Sequence, residues 1–382
     1  MIIGVLQEQT SGERRVALVP AHVASLGKAG ATVVVQAGAG EPSGYSDTWY
    51  SDKGAEIVTS AADVLARADV LLTVRYATAA DTPAADVDQL REGSAVIGFL
   101  DPYQQHASFA RLRDRRVSSF SMELIPRITR AQSMDALSSI ANLAGYKAAI
   151  IAADHLPKMF PMMMTAAGTI VPAKAFVVGV GVAGLQAIAT LKRLGAVVSA
   201  YDVRPAVKEQ VLSLGAKFVE MELETGDAET SGGYAKAMDE EFYRKQRELM
   251  TSVLAESDVV ITTAAVPGKP APTLVTTAMV EGMPRGSVVV DLAAERGGNC
   301  ELTRPGEVVD HNGVSILGPL NLASDLAHDA SQLYSKNITT FLLALIKDGA
   351  LTVDTSDEIV AATLVTHQGS VPSDEIRSRL QL

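Results

Sequence analysis

The chain has 382 residues, a formal net charge of −11 and one cysteine, Cys300. That length allows two domains or three, each with its own core, and the acidic balance argues against nucleic acid and against direct adhesion to anionic lipid, both of which need a basic face. A single thiol excludes an internal disulfide and a cysteine-built metal site, and no histidine has ligand-like spacing, so no metal is expected.

The chain opens on an apolar run, Ile2-Ile3-Gly4-Val5-Leu6, with no basic segment or long apolar core of a signal peptide. A soluble, cytoplasmic chain is therefore expected. Strands are predicted at 2–6, 32–36, 69–74, 95–100 and 117–122, with helices between them. One helix starts on Pro20 and ends near Gly30, proline at the start and glycine at the stop; another follows Ser60, a good N-cap. The run Gly38-Ala39-Gly40-Glu41-Pro42-Ser43-Gly44 has the wrong spacing for a nucleotide loop and reads as a structural turn. A long helix is predicted over 132–155. The Met162-Met163-Met164 run reads as packing.

After Pro161 and Pro172 the alternation restarts, with strands at 175–178, 197–201, 258–262 and 287–291 and another near 314–317. A last long helix spans roughly 322–347. The acidic stretch 222–231 leads into Gly232-Gly233 and reads as a mobile loop. Residues 175–191 carry no charge, yet they are short for a membrane span and three glycines break them, so strand, turn and helix explain them better. Strand–helix alternation implies an α/β protein with parallel sheets. Two Rossmann-like doubly wound domains are expected, separated by a cleft and linked by long helices: 1–131 plus 325–382, and 132–324.

Gly179-Val180-Gly181-Val182-Ala183-Gly184 is a complete G-x-G-x-x-G between a predicted strand and a predicted helix. Gly179 permits the tight turn, Gly181 lets backbone approach a pyrophosphate, and Gly184 lets helix pack on strand. The helix N-terminus attracts the diphosphate. The next strand ends at Asp202, followed by Val203 and Arg204. Asp202 is placed to accept ribose hydroxyls and to repel a 2′-phosphate, which favours NAD over NADP; the nearby Arg204 weakens that preference.

Several longer segments carry a family signature: Met122 to Asp135, Asn142-Leu143-Ala144-Gly145-Tyr146, Phe160 to Thr169, Gly179 to Thr190, Ser231 to Lys236, and Pro267-Gly268-Lys269-Pro270-Ala271-Pro272. With them the chain resembles the NAD(H)-binding component of proton-translocating NAD(P) transhydrogenase over nearly its whole length. The resemblance implies that Arg127, Gln132 and Asp135 form a loop beside the nicotinamide, with Ser138 one turn on and Ile128, Thr129, Ser133 and Met134 in the same segment. It implies a mobile loop over 225–240 with Gly233 and Tyr234, and cofactor contacts from Gln246, Ala265 and Val266. The residue types suit these tasks. Gln132 can pair a carboxamide, Arg127 can meet a phosphate or a partner group, and Asp135 can hold Arg127 or a ribose hydroxyl.

The same resemblance implies direct hydride transfer between NADH here and NADP(H) on a partner subunit, coupled to protons by a membrane subunit. The chain is then a homodimer attached peripherally to the plasma membrane through its partners. Two alternatives remain. Alanine dehydrogenase shares the architecture and the Arg14-Arg15-Val16-Ala17 pattern, but its lysine and histidine are replaced here by Arg75 and Asp101. An arginine does not exchange its proton near neutrality. The other alternative is an NAD(H) redox sensor without chemistry.

Overall fold

The computed structural model describes residues 1–76, 85–103, 107–220, 240–265 and 268–382. The strands in chain order are β1 (Ile2–Val5), β2 (Thr32–Gln36), β3 (Glu56–Val58), β4 (Val70–Arg75), β5 (Ala95–Phe99) and β6 (Ser118–Ser121). A hairpin of β7 (Met163–Thr165) and β8 (Gly168–Ile170) follows, then β9 (Lys174–Val178), β10 (Val197–Tyr201), β11 (Lys217–Phe218), β12 (Val259–Thr262), β13 (Val288–Asp291), β14 (Val308–His311) and β15 (Val314–Leu317). The chain closes with β16 (Ile346–Lys347), β17 (Ala350–Leu351) and β18 (Leu364–Thr366). Its contacts divide it into two compact units, Met1–Ile140 with Ala323–Leu382, and Ala141–Leu322.

The first unit holds a seven-stranded sheet in the order β18-β6-β5-β4-β1-β2-β3. Its strands are parallel except β18, which runs antiparallel to β6. β4 and β5 are apolar almost throughout, as strands covered on both faces must be. One face packs Val33, Val35, Leu72, Phe120 and Ile97 against Tyr334, Ile338 and Phe341 of the helix Ala327–Leu345. The other packs Val34, Leu71 and Val96 with Val64, Leu65 and Phe109.

The second unit repeats the plan in the order β11-β10-β9-β12-β13-β15-β14, with only β14 antiparallel. Ala187, Ile188 and Leu191 of the helix Val182–Arg193 bury against one face. Met250 and Leu254 of the helix Glu240–Leu254 bury against the other. Both sheets are thus Rossmann-like and dominated by parallel pairs with helices on either side.

Three expectations need adjustment. The long helix starts at Ala136, not 132, behind a 3-10 turn over Thr129–Met134. The cause is Asp135, whose carboxylate accepts the Ser138 amide at 2.9 Å and its hydroxyl at 2.6 Å, the geometry of a helix cap. The last helix likewise starts at Ala327, behind a 3-10 turn over Leu322–Leu326. The methionine run is not interior packing: Met162 and Met164 are 62% and 74% exposed on the β7–β8 hairpin. Among the described residues one helix, Ala136–His155, is long and apolar enough by composition to cross a membrane. Residues 175–191 divide into β9, a glycine turn and a helix.

Candidate functional site

Three glycines follow β9, and the structure gives each a different reason to lack a side chain. Gly179 has φ +92°, which favours glycine, and a Cβ there would lie 2.8 Å from Thr263 Oγ1. A Cβ on Gly184 would lie 2.0 Å from the Gly179 carbonyl oxygen, so helix and turn could not pack. Gly181 has φ −80°, open to any residue, and no atom within 4 Å of where its Cβ would stand. Neither strain nor packing demands that glycine. What it leaves clear is space over the N-terminus of the helix Val182–Arg193, whose first turn has no acidic residue and no capping side chain. Uncapped amides at such an end attract an anion, and the bare backbone at Gly181 fits the diphosphate of a dinucleotide.

The turn is held from both sides. The Gly179 amide donates to the Tyr201 carbonyl at 2.9 Å. Thr263 Oγ1, just past β12, donates to the Gly179 carbonyl at 2.8 Å. Asp202 Oδ2 accepts the Val180 amide at 2.7 Å. Asp202 also accepts from Arg204: Oδ1 from the amide and Nε at 2.9 Å each, Oδ2 from a terminal nitrogen at 2.8 Å. Four donors fill the lone-pair directions of one carboxylate. A ribose hydroxyl therefore competes with the Arg204 guanidinium for Asp202, and that guanidinium is neutralised rather than offered to a 2′-phosphate.

The remaining expected contacts in this unit sort by depth. Val182 is half-buried at the helix start, Val203 packs at the margin of the core, and Ala265 is exposed. Val180 is 1% exposed, so only its backbone faces the turn. Gln246 is 3% exposed and donates its amide to Tyr201 Oη at 3.2 Å, so the side chain is spent inside the protein. Burial pushes the Tyr201 phenol up to about 12. Gly233, Tyr234 and Val266 lie outside the described residues.

The nicotinamide-side residues belong to the first unit. Arg127, Thr129, Gln132 and Ser133 are exposed on the 3-10 segment, and Ile128 is half-buried beneath it. Met134 is 6% exposed and turns into the core, so it anchors the segment rather than lining its surface. Asp135 is committed to Ser138 as the helix cap. Asn337 Nδ2 donates to the Ser133 carbonyl at 3.0 Å and ties the segment to the helix Ala327–Leu345.

Two places matter that sequence reasoning misses. Thr263 is an unremarkable hydroxyl until β12 and β9 are seen to be neighbours. A Cβ on Gly145 would lie 2.1 Å from the Ala183 carbonyl oxygen, so this glycine lets the helix Ala136–His155 pass close to the fingerprint helix; the Asn142 to Tyr146 motif was the available signal.

Two family models match the chain: "Alanine dehydrogenase/PNT, N-terminal domain" over residues 4–144 and "Alanine dehydrogenase/PNT, C-terminal domain" over 148–374. The chain is 47% identical over 374 residues to an NAD(P) transhydrogenase subunit alpha chain of Rhodospirillum rubrum, covering 97% of each chain. It is 44% identical over 381 residues to the chain of the same name in Rickettsia prowazekii, covering 100% of this chain and 98% of that one. A transhydrogenase structure from Sinorhizobium meliloti superposes with TM-score 0.87 at 48% identity, covering 97% of this chain and 100% of that one. An L-alanine dehydrogenase structure superposes with TM-score 0.83 at 22% identity, a likeness of fold, covering 100% and 99%.

Proposed function

Since the chain belongs to the alanine dehydrogenase/PNT family, we propose that it is the NAD(H)-binding subunit of a proton-translocating NAD(P) transhydrogenase. The observation that carries this reading is Gly181, a glycine that neither backbone strain nor packing requires, set at the uncapped start of a 12-residue helix. When bound, NADH supplies a hydride for direct transfer to NADP+ held on a partner subunit.

The chain's own residues then bind, orient and shield. The amides that open the helix Val182–Arg193 take the diphosphate. Asp202, with Arg204 displaced, takes the adenosine ribose. Arg127 and Gln132 take the nicotinamide end on a segment that the Asp135 cap and the Met134 anchor hold rigid. Rigid placement is what a direct transfer needs, because its rate depends on alignment rather than on an acid or base.

The partners follow from the same reading: an NADP(H)-binding subunit and a membrane-embedded subunit, with this chain attached peripherally on the cytoplasmic side. A homodimer belongs to it too, and the exposed methionines of the β7–β8 hairpin offer a second copy an apolar surface. Alanine dehydrogenation is the weaker reading, since Arg75 ends β4 where a proton-exchanging lysine is wanted.

The test has two stages. NADH titrated onto the chain should show quenching or a blue shift of its fluorescence. The chain mixed with an NADP(H)-binding subunit should then exchange hydride with an NAD analogue. Binding without exchange at any ratio leaves a redox sensor and rejects the transhydrogenase.

A further inference from the structure

In the second sheet β9 and β12 are neighbours, yet the chain leaves β9 toward β10 and β11 and leaves β12 toward β13 and β15. That is a topological switch point, and ligands of doubly wound sheets bind outside the carboxyl ends of the two strands that flank it. Gly179 forms one lip here. Thr263, Ala264 and Ala265 form the other, and Ala265 is exposed. An irregular segment at such a lip has no strand partner to hold its peptide groups.

Asn299 supplies that partner. Its Oδ1 accepts the Ala264 amide at 3.0 Å, and its Nδ2 donates to the Ala264 carbonyl at 2.8 Å. The other Nδ2 hydrogen goes to the Pro272 carbonyl, also at 2.8 Å. One side-chain amide thus pairs both polar groups of a single residue, as an adjacent strand would. The clamp is itself anchored. The Asn299 amide donates to Asp291 Oδ2 at 2.7 Å, and its carbonyl accepts from Leu274 and Val275 at 2.8 and 2.9 Å. Asp291 is fully buried and also accepts from the Ala293 and Cys300 amides at 3.0 Å and from Thr303 Oγ1 at 2.7 Å. Asn299 is 0% exposed.

We propose that Asn299 is a positioning residue for the dinucleotide, fixing the Ala264–Ala265 backbone as one wall of the crevice between β9 and β12. The inference rests on the reading of this crevice as the NAD(H) site. It follows that only asparagine serves at 299. Aspartate has the acceptor but no donor and would set a carboxylate against two carbonyls; leucine would leave the Ala264 amide and carbonyl buried without partners.

The test compares the full wild-type chain with Asn299→Asp, with NADH as the probe and folding followed by circular dichroism and melting temperature. A role confined to stability would lower the melting temperature and leave NADH affinity of the folded protein unchanged. Positioning predicts NADH binding weakened about tenfold at a temperature where the variant is fully folded, the equivalent of one lost buried hydrogen bond to a charged or well-ordered partner. A change under about threefold, with wild-type binding intact, overturns the proposal. Failure of the wild type to bind NADH overturns the cofactor reading, and this inference with it. Should the variant not fold, amide exchange of the wild type decides: Ala264 protected before NADH is added supports the clamp, and exchange at the rate of an open loop overturns it.

Discussion

Asp202 accepts the Val180 amide at 2.7 Å, so the residue that ends one strand props the glycine turn that ends its neighbour. The acidic residue of the fingerprint therefore has a task before any ribose arrives, and Arg204 shares its carboxylate. Removing it should disturb both the shape and the charge of the site.

Asp202→Ala should weaken NADH binding at least tenfold and narrow the preference over NADPH, since Arg204 loses its counter-ion and becomes available to a 2′-phosphate. Dissociation constants for the two nucleotides, measured side by side, check this. An unchanged ratio would mean that Arg204 does not face the ribose.

The glycines separate binding from stability. Gly181→Ala should melt like the wild type, within about 0.5 kcal/mol, and still bind NADH poorly. Gly184→Ala should lose about 2 kcal/mol or more, because its Cβ would overlap the Gly179 carbonyl oxygen. Denaturant unfolding and NADH titration of both variants test the contrast, and normal NADH affinity in Gly181→Ala would count against the cofactor site itself.

Glu8 gives a pH dependence. Burial raises its carboxyl to about 7, aided by nearby Glu13 and opposed by the bonds it accepts from the Val74 and Arg75 amides and the Thr73 hydroxyl. A carboxyl raised in the folded state contributes stability that is complete below its unfolded value of 4.5 and is lost as pH rises through about 7. Urea unfolding of wild type and Glu8→Gln at pH 5, 6, 7 and 8 should show the wild type losing ground to the variant as pH rises. Parallel curves would refute the assignment.

Arg130 and Asp357 behave oppositely. The Arg130 hydrogen bonds hold the Asp357 carboxyl down at about 2, and Asp357 also caps the helix Glu358–Thr363 through the Ile359 amide at 2.9 Å. A lowered carboxyl contributes stability above its unfolded value of 3.8 that is lost as pH falls through about 2. Near neutral pH, Arg130→Ala should cost under about 1 kcal/mol, as exposed ion pairs do, and Asp357→Ala about 1–2 kcal/mol, because the cap goes as well. Equal losses in the two variants would show that the ion pair, not the cap, carries the effect.

Much of the fold was legible in the chain itself. Strands β1, β2, β4, β5, β6, β9, β10, β12, β13 and β15 announce themselves as apolar runs between turn residues, because parallel strands covered on both faces must be apolar throughout. Strands β3, β11 and β14 were not foreseen: they are short edge strands with exposed or half-buried residues and no such run. The 3-10 turn before Ala136 was missed because Asp135 suits a helix interior, a ligand contact or a cap, and only the Ser138 geometry selects among them.

Sequence alone therefore determined what is local: the alternation of elements, the glycine fingerprint and the exposed polar segment around Arg127. Tertiary structure decided what depends on distant residues meeting. Residues 35 apart bring Asn299 to Ala264, and residues 84 apart bring Thr263 to Gly179. Side-chain periodicity reports which face of an element is buried, but a buried hydrogen bond depends on where two backbones cross, and that is fixed only when the sheet assembles.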